Sequence, residues 1–461
     1  MAPAFSVFGV FQTVTGKALF TFRRYDTCRS IVAEYGHQVK SALVPSRWIA
    51  ALAVAAAVAS CQWLDAFAGS GPESPNHHSR GVATLPGMPP VVDPENLYSE
   101  IRAGNLSPAV ADALYRVYVP DRISGDVTVV DPETLKVVGR FRVGVNPQHV
   151  VPSYDLKTLW VVNNAENRMN GSVTPINPRT GRPGKSISVD DPYNMYFTPD
   201  GASAIVVAEE SQRLDFRDPH TMALQSSLPT PGCAGINHAD FSIDGRFAIF
   251  TCEYGGGLVK IDMVNKQVLG YLTLSRDGAL KQSQAALTDP ATGFAVCAVT
   301  GMPQDIRVSP DGKIFYVADM LADGVYLVDG ESFVQIGFIP TGRGAHGLYP
   351  SRDGTKLYVA NRGSHRVLGA KHGLGNVSVL DFATRRVVAT WGIPGGGSPD
   401  MGNVSPDGRY LWLSGRFDNV VYRFDTGDGA VVEIPVGKEP HGLTVWPQPG
   451  RYSLGHTGNL R

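Results

Sequence analysis

The chain has 461 residues, with 41 Lys and Arg against 42 Asp and Glu, and its formal net charge is −1. Hydrophobic residues make up 43% of the chain and charged residues 18%, which is enough apolar side chain for a large core and excludes global disorder. A body without excess positive charge is poorly suited to a phosphate backbone, so we expect no nucleic-acid partner.

The first sixty residues have the pattern of an export signal. Residues 49–60 form a short apolar run after a basic flank. This run is too short for an ordinary membrane-spanning helix and is typical of a secretory signal. The sequence of residues 58–61, Val-Ala-Ser-Cys, resembles a bacterial lipobox, so we expect Cys61 to be lipidated. The alternative is a signal that is cleaved elsewhere, with Cys61 incidental.

Residues 1–61 are therefore predicted to be an export signal of the lipoprotein type, and the protein is expected outside the cytoplasm. Its contact with the membrane would be the lipid anchor alone. Residues 1–39 are longer than an ordinary basic region and indicate a start codon assigned too early. Residues 62–96 are rich in Gly, Ser, Pro and Ala and predict a flexible tether.

A short helical lead-in is predicted over residues 97–114. Ser107 is a favourable N-cap residue, and Pro108 follows it at the first helical position.

Residues 115–450 contain an internal repeat. An Asp-Gly turn follows a short apolar run at residues 198–201, 242–245, 309–312, 351–354 and 405–408. Gly suits such tight hairpin turns because it adopts a positive φ at little cost. Three further short β-rich runs follow each turn. Strands of this length and spacing predict a many-bladed β architecture.

Counting the first strand of each repeat gives the number of blades. These inner strands start near His149, Asn194, His238, Asp305, His346, Asp400 and His441. Six are followed by three outer strands of their own, whereas the seventh lacks them. Three matching runs precede the first inner strand, at 115–120, 127–131 and 137–143. We therefore predict an all-β, seven-bladed β-propeller of four-stranded blades, closed by pairing the C-terminal inner strand with the three N-terminal strands. An insertion is predicted at about 275–300, and a tail, 451–461, across one face.

The repeat resembles that of the YVTN-type seven-bladed β-propellers. The resemblance rests on Tyr-Val-Ala-Asn at residues 358–361 and on the recurring Ser-Pro-Asp-Gly, and it covers about residues 113–450. It implies the fold more than a function, because similar propellers carry haem in periplasmic nitrite reductases, carry a copper cluster in nitrous oxide reductases, or act as lactonases. The sequence has no Cys-x-x-Cys-His motif for covalent haem.

The residues that start the inner strands are the candidate site, since this position faces the central channel of a propeller. Four imidazoles and two carboxylates there could bind copper, zinc or iron. The candidate metal ligands are His149, His238, His346 and His441. Asn194, Asp305, Arg307 and Asp400 are further channel candidates. The alternative is that these positions belong to the ordinary repeat and hold turns or channel water.

The spacing of these residues does not fit one flat ring. His149, Asn194, His238 and Asp305 lie six residues before the turn Asp, whereas His346 and Asp400 lie seven before it. Successive strand residues point to opposite faces. We therefore predict two sublayers, with His441 grouped with His346 and Asp400.

Two further sets of residues bear on catalysis and on covalent cross-linking. A lactonase interpretation needs a base and a cation, and its candidates are Glu209, Glu253, Arg307, His346 and Arg362. A buried ion pair is the alternative for Arg307.

A disulfide is predicted between Cys233 and Cys297, because both precede inner strands of adjacent blades, and Cys252 is predicted to be a buried small hydrophobe.

The leading functional hypothesis is an exported binding or scaffold protein, whose ligand is an unidentified protein or small molecule at a propeller face. We expect a monomer. The alternatives are a metal- or cofactor-dependent oxidoreductase that uses the channel histidines, and a lactonase-type hydrolase. The cofactor is unknown, with a transition metal as the candidate. Whether the protein is an enzyme stays open, because fold alone does not decide function.

Overall fold

The computed structural model describes residues 81–165, 170–276, 301–367 and 373–461. Within them, seven antiparallel sheets of at least four strands form a ring. Each innermost strand contacts the innermost strand of the next sheet, and the last of them returns to the first. This confirms the predicted seven-bladed β-propeller.

The chain enters through two 3-10 helices and then forms three strands. The helices are Ser99–Ile101 and Pro108–Val110, and the strands are β1 (Arg116–Asp121), β2 (Asp126–Asp131) and β3 (Lys136–Arg142). Ser107 caps the second helix, where its Oγ accepts a hydrogen bond of 3.2 Å from the Ala109 N–H. The predicted helical lead-in is thus a pair of single-turn 3-10 helices.

Blades are numbered here by their inner strands in chain order. Blade 1 is β4 (Pro147–Pro152), β5 (Leu159–Asn163) and β6 (Ser172–Asn177), with β7 (Arg182–Pro183) and β8 (Ile187–Ser188) beside β6. Blade 2 is β9 (Pro192–Phe197), β10 (Ala204–Ala208), β11 (Arg213–Arg217) and β12 (Leu224–Pro229). Blade 3 is β13 (Ile236–Phe241), β14 (Phe247–Cys252), β15 (Gly257–Asp262) and β16 (Gln267–Thr273).

The remaining blades repeat the same order. Blade 4 is β17 (Pro303–Val308), β18 (Ile314–Asp319), β19 (Gly324–Asp329) and β20 (Val334–Pro340). Blade 5 is β21 (Ala345–Pro350), β22 (Lys356–Asn361), β23 (Asn376–Asp381) and β24 (Arg386–Gly392). Blade 6 is β25 (Pro399–Val404), β26 (Tyr410–Gly415), β27 (Val420–Asp425) and β28 (Val431–Pro435).

Blade 7 combines the two ends of the repeat region. Its inner strand is β29 (Thr444–Trp446), which pairs antiparallel with β1 and places Val445 opposite Val117. The sheet order is β29-β1-β2-β3. Two short strands follow in the tail, β30 (Ser453–Gly455) and β31 (Asn459–Leu460), and β30 joins the inner strand β9 of blade 2.

The repeated turn has one geometry that explains its sequence. In blade 4, Gly312 has a φ of +73°, and the Ser309 hydroxyl bonds to the Asp311 carboxylate at 2.5 Å. The same hydroxyl accepts a hydrogen bond of 2.9 Å from the Ile314 N–H, which starts the second strand. Side chains of the turn therefore satisfy the backbone where the chain reverses. We call the face of the propeller that carries these turns the turn face, and the opposite face the loop face.

The segment before the first helix lies on the turn face. Leu85 is 6% exposed, and its N–H donates to the Asp244 carbonyl at 2.8 Å. The Leu97 N–H likewise donates to the Pro310 carbonyl at 2.8 Å. The predicted tether is therefore wrong for residues 85–96, because this segment has apolar side chains to bury and backbone partners in two turns.

Several predictions concern residues outside the described ranges. The export signal, Cys61, the first part of the tether and most of the insertion, with Cys297, lie there. Among the described residues, the helices are too short and too polar to cross a bilayer.

The disulfide differs from the predicted one. Cys233 is bonded to Cys252, with a Cα–Cα distance of 4.8 Å, so the predicted pairing of Cys233 with Cys297 is wrong. Cys252 ends β14 directly opposite Ile236 of β13, and the loop that carries Cys233 returns to that point. Cys252 is therefore buried as a disulfide partner and not as a free small hydrophobe.

Candidate functional site

The inner strands are irregular where the candidate residues lie. Six of the seven have a register shift within their first residues, in β4, β9, β13, β17, β21 and β25. A β-bulge leaves a residue out of the ladder and re-aims its side chain. Strict alternation therefore does not apply at these positions, and residues of different spacing can reach the same channel.

Three histidines form the first group, which we call the imidazole triad. It consists of His149 at β4, His238 at β13 and His456 from the tail. One ring nitrogen from each lies within 4.8 Å of the corresponding nitrogens of the other two. All three side chains are fully buried, and the ring centroids of His238 and His456 are 4.5 Å apart. His149 and His238 were predicted metal ligands, whereas His456 was not.

His456 reaches the channel at the tip of the hairpin formed by β30 and β31. Its N–H donates to the Met195 carbonyl of β9 at 2.9 Å. Gly455 precedes it with a φ of +101°, and a Cβ there would lie 2.4 Å from the Cα of Tyr196. The tail thus lies on the turn face, and its tip enters the channel. The sequence Gly-His-Thr-Gly at residues 455–458 is the feature that points to such a tip.

Asn194 holds two members of the triad. Its Nδ2 lies 3.1 Å from the Nδ1 of His238 and 3.0 Å from the Nδ1 of His456. Within the described part of the chain, the Nε2 atoms of these two rings and both ring nitrogens of His149 are buried without a hydrogen-bond partner. Native proteins rarely leave so many buried polar atoms unpaired, and a bound water or ion is the usual reason.

A second group surrounds Asp400, and we call it the carboxylate cluster. One oxygen, Oδ1, lies 2.7 Å from an Arg362 guanidinium nitrogen and 2.9 Å from the Nδ1 of His346. The other oxygen lies 3.5 Å from Arg416 and 3.7 Å from the Nε2 of His441. Arg362 also bonds to the Nε2 of His346. Despite the opposing effect of burial, the charge of Arg362 and the hydrogen bond from His346 hold the pKa of Asp400 well below its usual range.

The two groups touch through His441. Its Nδ1 donates to the Gln148 carbonyl at 3.0 Å, and its ring centroid lies 4.7 Å from that of His149. Asn194 and Asp305 adjoin the triad, since Asp305 lies 3.5 Å from the Nε2 of His456. His346, Asp400 and His441 thus form one group, whereas His149 and His238 belong to the other, and the two groups are in contact.

Burial keeps the channel histidines uncharged. Desolvation lowers the pKa of His346 to about 4 and lowers the pKa of the remaining four well below the ordinary value. These four are His149, His238, His441 and His456. All five are therefore neutral at pH 7, and neutral imidazole is the form that binds metals.

The triad fits a metal ion better than the carboxylate cluster does. A cation at Asp400 would face the guanidinium groups of Arg362 and Arg416, and like charges in a buried site are strongly unfavourable. At the triad, the nearest guanidinium, Arg307, is already paired with Asp305 at 3.0 Å. Three imidazoles suit zinc, copper or iron. Of the four predicted metal ligands, His346 and His441 thus belong to the other group.

The lactonase candidates are placed differently from what that activity needs. Arg307 is in the buried ion pair with Asp305, and Arg362 is bound to Asp400. Glu253 accepts a hydrogen bond of 2.7 Å from Asn237, and burial raises its pKa. Neither guanidinium is therefore presented to a lactone, and the hydrolase interpretation stays a prediction.

Comparison with known proteins supports the fold. The family model described as YNCE-like beta-propeller matches residues 285–449. Over these residues the chain resembles the YNCE-like propellers. A search of curated proteins finds no match.

Solved structures with the same fold cover most of the chain. Kuenenia stuttgartiensis hydrazine synthase is 20% identical, with a TM-score of 0.52, and covers 68% of this chain and 93% of its own. A putative 6-phosphogluconolactonase from Bacteroides uniformis is 17% identical, with a TM-score of 0.53, and covers 71% and 98%. One from Bacteroides fragilis has the same identity and TM-score, and covers 73% and 99%. At these identities the likeness shows the fold alone.

Proposed function

We propose that this chain is an exported β-propeller that binds one transition-metal ion at the imidazole triad. The observation that carries the proposal is the convergence of three buried ring nitrogens, from β4, β13 and the tail hairpin, within 4.8 Å of one another. This refines the hypothesis of a binding protein by naming the ligand class. Zinc, copper and iron are the candidates, since the donors are imidazoles and no thiol of the described residues contributes.

Export remains part of the proposal and rests on separate observations. The apolar run at 49–60 and the lipobox-like Cys61 support it. The disulfide between Cys233 and Cys252 supports it as well, because structural disulfides persist in oxidising compartments. We propose that the protein is a monomer that meets its partners outside the cytoplasm.

Elemental analysis of the full chain tests the metal. The protein is purified without chelator and without an affinity His tag, and its metal content is compared with that of His238→Gln and His456→Gln. His220→Gln, in an exposed turn, is the matched control. We expect close to one ion per chain in the wild type and in the control, and loss of the ion from both triad variants. A wild type that takes up no zinc, copper or iron would overturn the proposal.

One further variant separates the two groups of channel residues. His346→Gln alters the carboxylate cluster and leaves the triad intact, so we expect it to retain the ion. Loss of the ion from His346→Gln alone, with retention in the triad variants, would place the metal at Asp400 instead. An absorption spectrum of the same samples addresses the oxidoreductase alternative, which requires a redox-active ion such as copper or iron.

A further inference from the structure

The Asn194 side chain determines where two members of the triad carry their protons. Its Nδ2 has two hydrogens, and the two nearest acceptors are the Nδ1 atoms of His238 and His456 at 3.1 and 3.0 Å, with the Tyr196 hydroxyl farther away at 3.4 Å. An imidazole nitrogen that accepts a hydrogen bond has no proton of its own. Both neutral rings therefore carry their proton on Nε2, which in His238 has no hydrogen-bond partner in the described part of the chain and in His456 lies 3.5 Å from the Asp305 carboxylate.

The orientation of the amide is fixed by the backbone. The Oδ1 of Asn194 accepts a hydrogen bond of 2.8 Å from the Met195 N–H. The same contact occurs in blade 4, where Oδ1 of Asp305 accepts one of 2.9 Å from the Ile306 N–H. Turning the Asn194 amide over would place its Nδ2 against the Met195 N–H, which is also a donor. This N–H thus favours the arrangement in which Nδ2 faces the rings.

A metal ion needs the opposite arrangement. It binds a ring nitrogen through its lone pair, and a ligating histidine normally donates its other N–H to a nearby acceptor. To ligate through Nε2, His238 and His456 must move their protons to Nδ1, and Asn194 must turn its oxygen towards them. That rearrangement gives up the hydrogen bond from Met195.

We infer that Asn194 is a positioning residue that holds His238 and His456 in the non-ligating tautomer and so keeps metal binding at the triad reversible. The inference rests on the proposed function and deepens it. The ion must displace an existing hydrogen-bond arrangement each time it enters, and the arrangement reforms when it leaves. Such a site suits a protein that exchanges its ion more than one that keeps it permanently.

Asn194→Asp is the substitution that tests this role. A carboxylate has the shape of the amide but only accepts hydrogen bonds, so it can bind two Nδ1–H groups and the Met195 N–H together. Both Nε2 atoms would then offer lone pairs before the ion arrives. Blade 4 has Asp305 at the same register, so the fold accommodates an aspartate at this position. We expect affinity for zinc to rise about 10-fold to 100-fold, the range for changes in partners of metal ligands.

Two measurements on the full chain distinguish this role from a general effect of charge. In metal-free protein labelled with ¹⁵N at histidine, the ring nitrogen shifts report the tautomer of each imidazole. A competition titration with Zn²⁺ gives the dissociation constant. Gln148→Glu is the control, since it adds a carboxylate one residue from His149. We expect His238 and His456 to carry Nε2–H in the wild type and in Gln148→Glu, and Nδ1–H in Asn194→Asp.

The possible results separate the two proposals. Tighter Zn²⁺ binding in Asn194→Asp, with the change of tautomer and with a smaller effect in Gln148→Glu, supports the inference. A wild type that binds Zn²⁺ while Asn194→Asp keeps its tautomer, or binds no more tightly than Gln148→Glu, overturns the inference and leaves the proposed function intact. Absence of Zn²⁺ binding in wild type and Asn194→Asp alike overturns both.

Discussion

His346 illustrates what complete burial does to one titratable side chain. Desolvation and the neighbouring Arg362 lower its pKa to about 4, although Asp400 acts in the opposite direction. In the unfolded chain the same group titrates near 6.5. Above pH 6.5 both states are neutral at this residue. Below it, the unfolded chain takes up a proton that the folded protein takes up only near pH 4, so acid favours unfolding.

We therefore expect His346→Gln to change the pH dependence of stability. The shift from 6.5 to about 4 makes the wild type lose about 3 kcal/mol relative to the variant between pH 7 and pH 4. Urea unfolding of both proteins over this range gives the difference, to which Asp400 also contributes because His346 is one of the groups that lower the pKa of its carboxyl. Curves that stay parallel from pH 7 to pH 4 would contradict a neutral, buried His346.

At the level of single residues, the sequence predicts the channel but not the complete set of histidines that meet in it. His149, Asn194 and His238 could be found because the repeat marks the start of every inner strand. His456 could not be found in this way, since it lies beyond the last repeat and arrives on a hairpin. The pairing of Cys233 with Cys252 was missed because the loop before β13 folds back onto the end of β14.

The elements differ from their predicted form mainly at the bulges. Alternation along a regular strand would keep His346 and His149 on opposite sides, and this is why the sequence predicted separate sublayers. The bulges in β4 and β21 shift the register at these residues. A bulge depends on tertiary packing around the channel, so the spacing of residues predicts the strands but not the contact of His441 with His149.

The tail hairpin is an element whose insertion depends on one glycine. We expect Gly455→Ala to lower stability by about 1–3 kcal/mol, because the positive φ is strained for alanine and the new Cβ overlaps Tyr196. It should also release His456 from the triad and reduce metal content. Gly392→Ala in β24 is the control, since nothing lies within 4 Å of its Cβ. Equal melting temperatures and metal contents in all three proteins would show that neither stability nor metal binding depends on the insertion of the hairpin.

The disulfide stabilises blade 3 beside His238. The bonded cysteines are 19 residues apart, and a cross-link over this span contributes about 3 kcal/mol by restricting the unfolded chain. We expect the double variant Cys233→Ala/Cys252→Ala to lose about this amount in denaturant unfolding. Cys297→Ala should unfold like the wild type. Loss of a similar amount of stability in Cys297→Ala would instead support the pairing of Cys233 with Cys297.

The whole molecule has two unlike faces. Residues 85–96 and the tail lie on the turn face, and the tail fills the channel from that side. Glu253, Arg362 and Arg416 lie towards the loop face, where the inner strands begin. Closure through β29 and β1 was predictable from counting strands, whereas this asymmetry was not, because it depends on segments outside the repeat.

The attachment of the whole molecule to a membrane is predicted to depend on one residue. Cys61→Ala should move the exported protein from the membrane fraction to the soluble fraction, since a lipid on this residue would be its anchor. Mass spectrometry of the N-terminal peptide of the wild type should show a lipidated Cys61. A mature N-terminus at another residue, without lipid, would contradict the lipoprotein interpretation.

The position of His456 at the tip of the tail hairpin has a consequence for the timing of assembly. A ribosome makes this residue after every blade, and the hairpin can enter the channel only once β9 and its neighbours are in place. If the chain binds a metal ion at the triad as proposed, metal capture is then among the final events in its maturation. If the chain crosses the membrane before it folds, it takes its ion from the pool at its destination, and the metals of the cytoplasm never compete for the site.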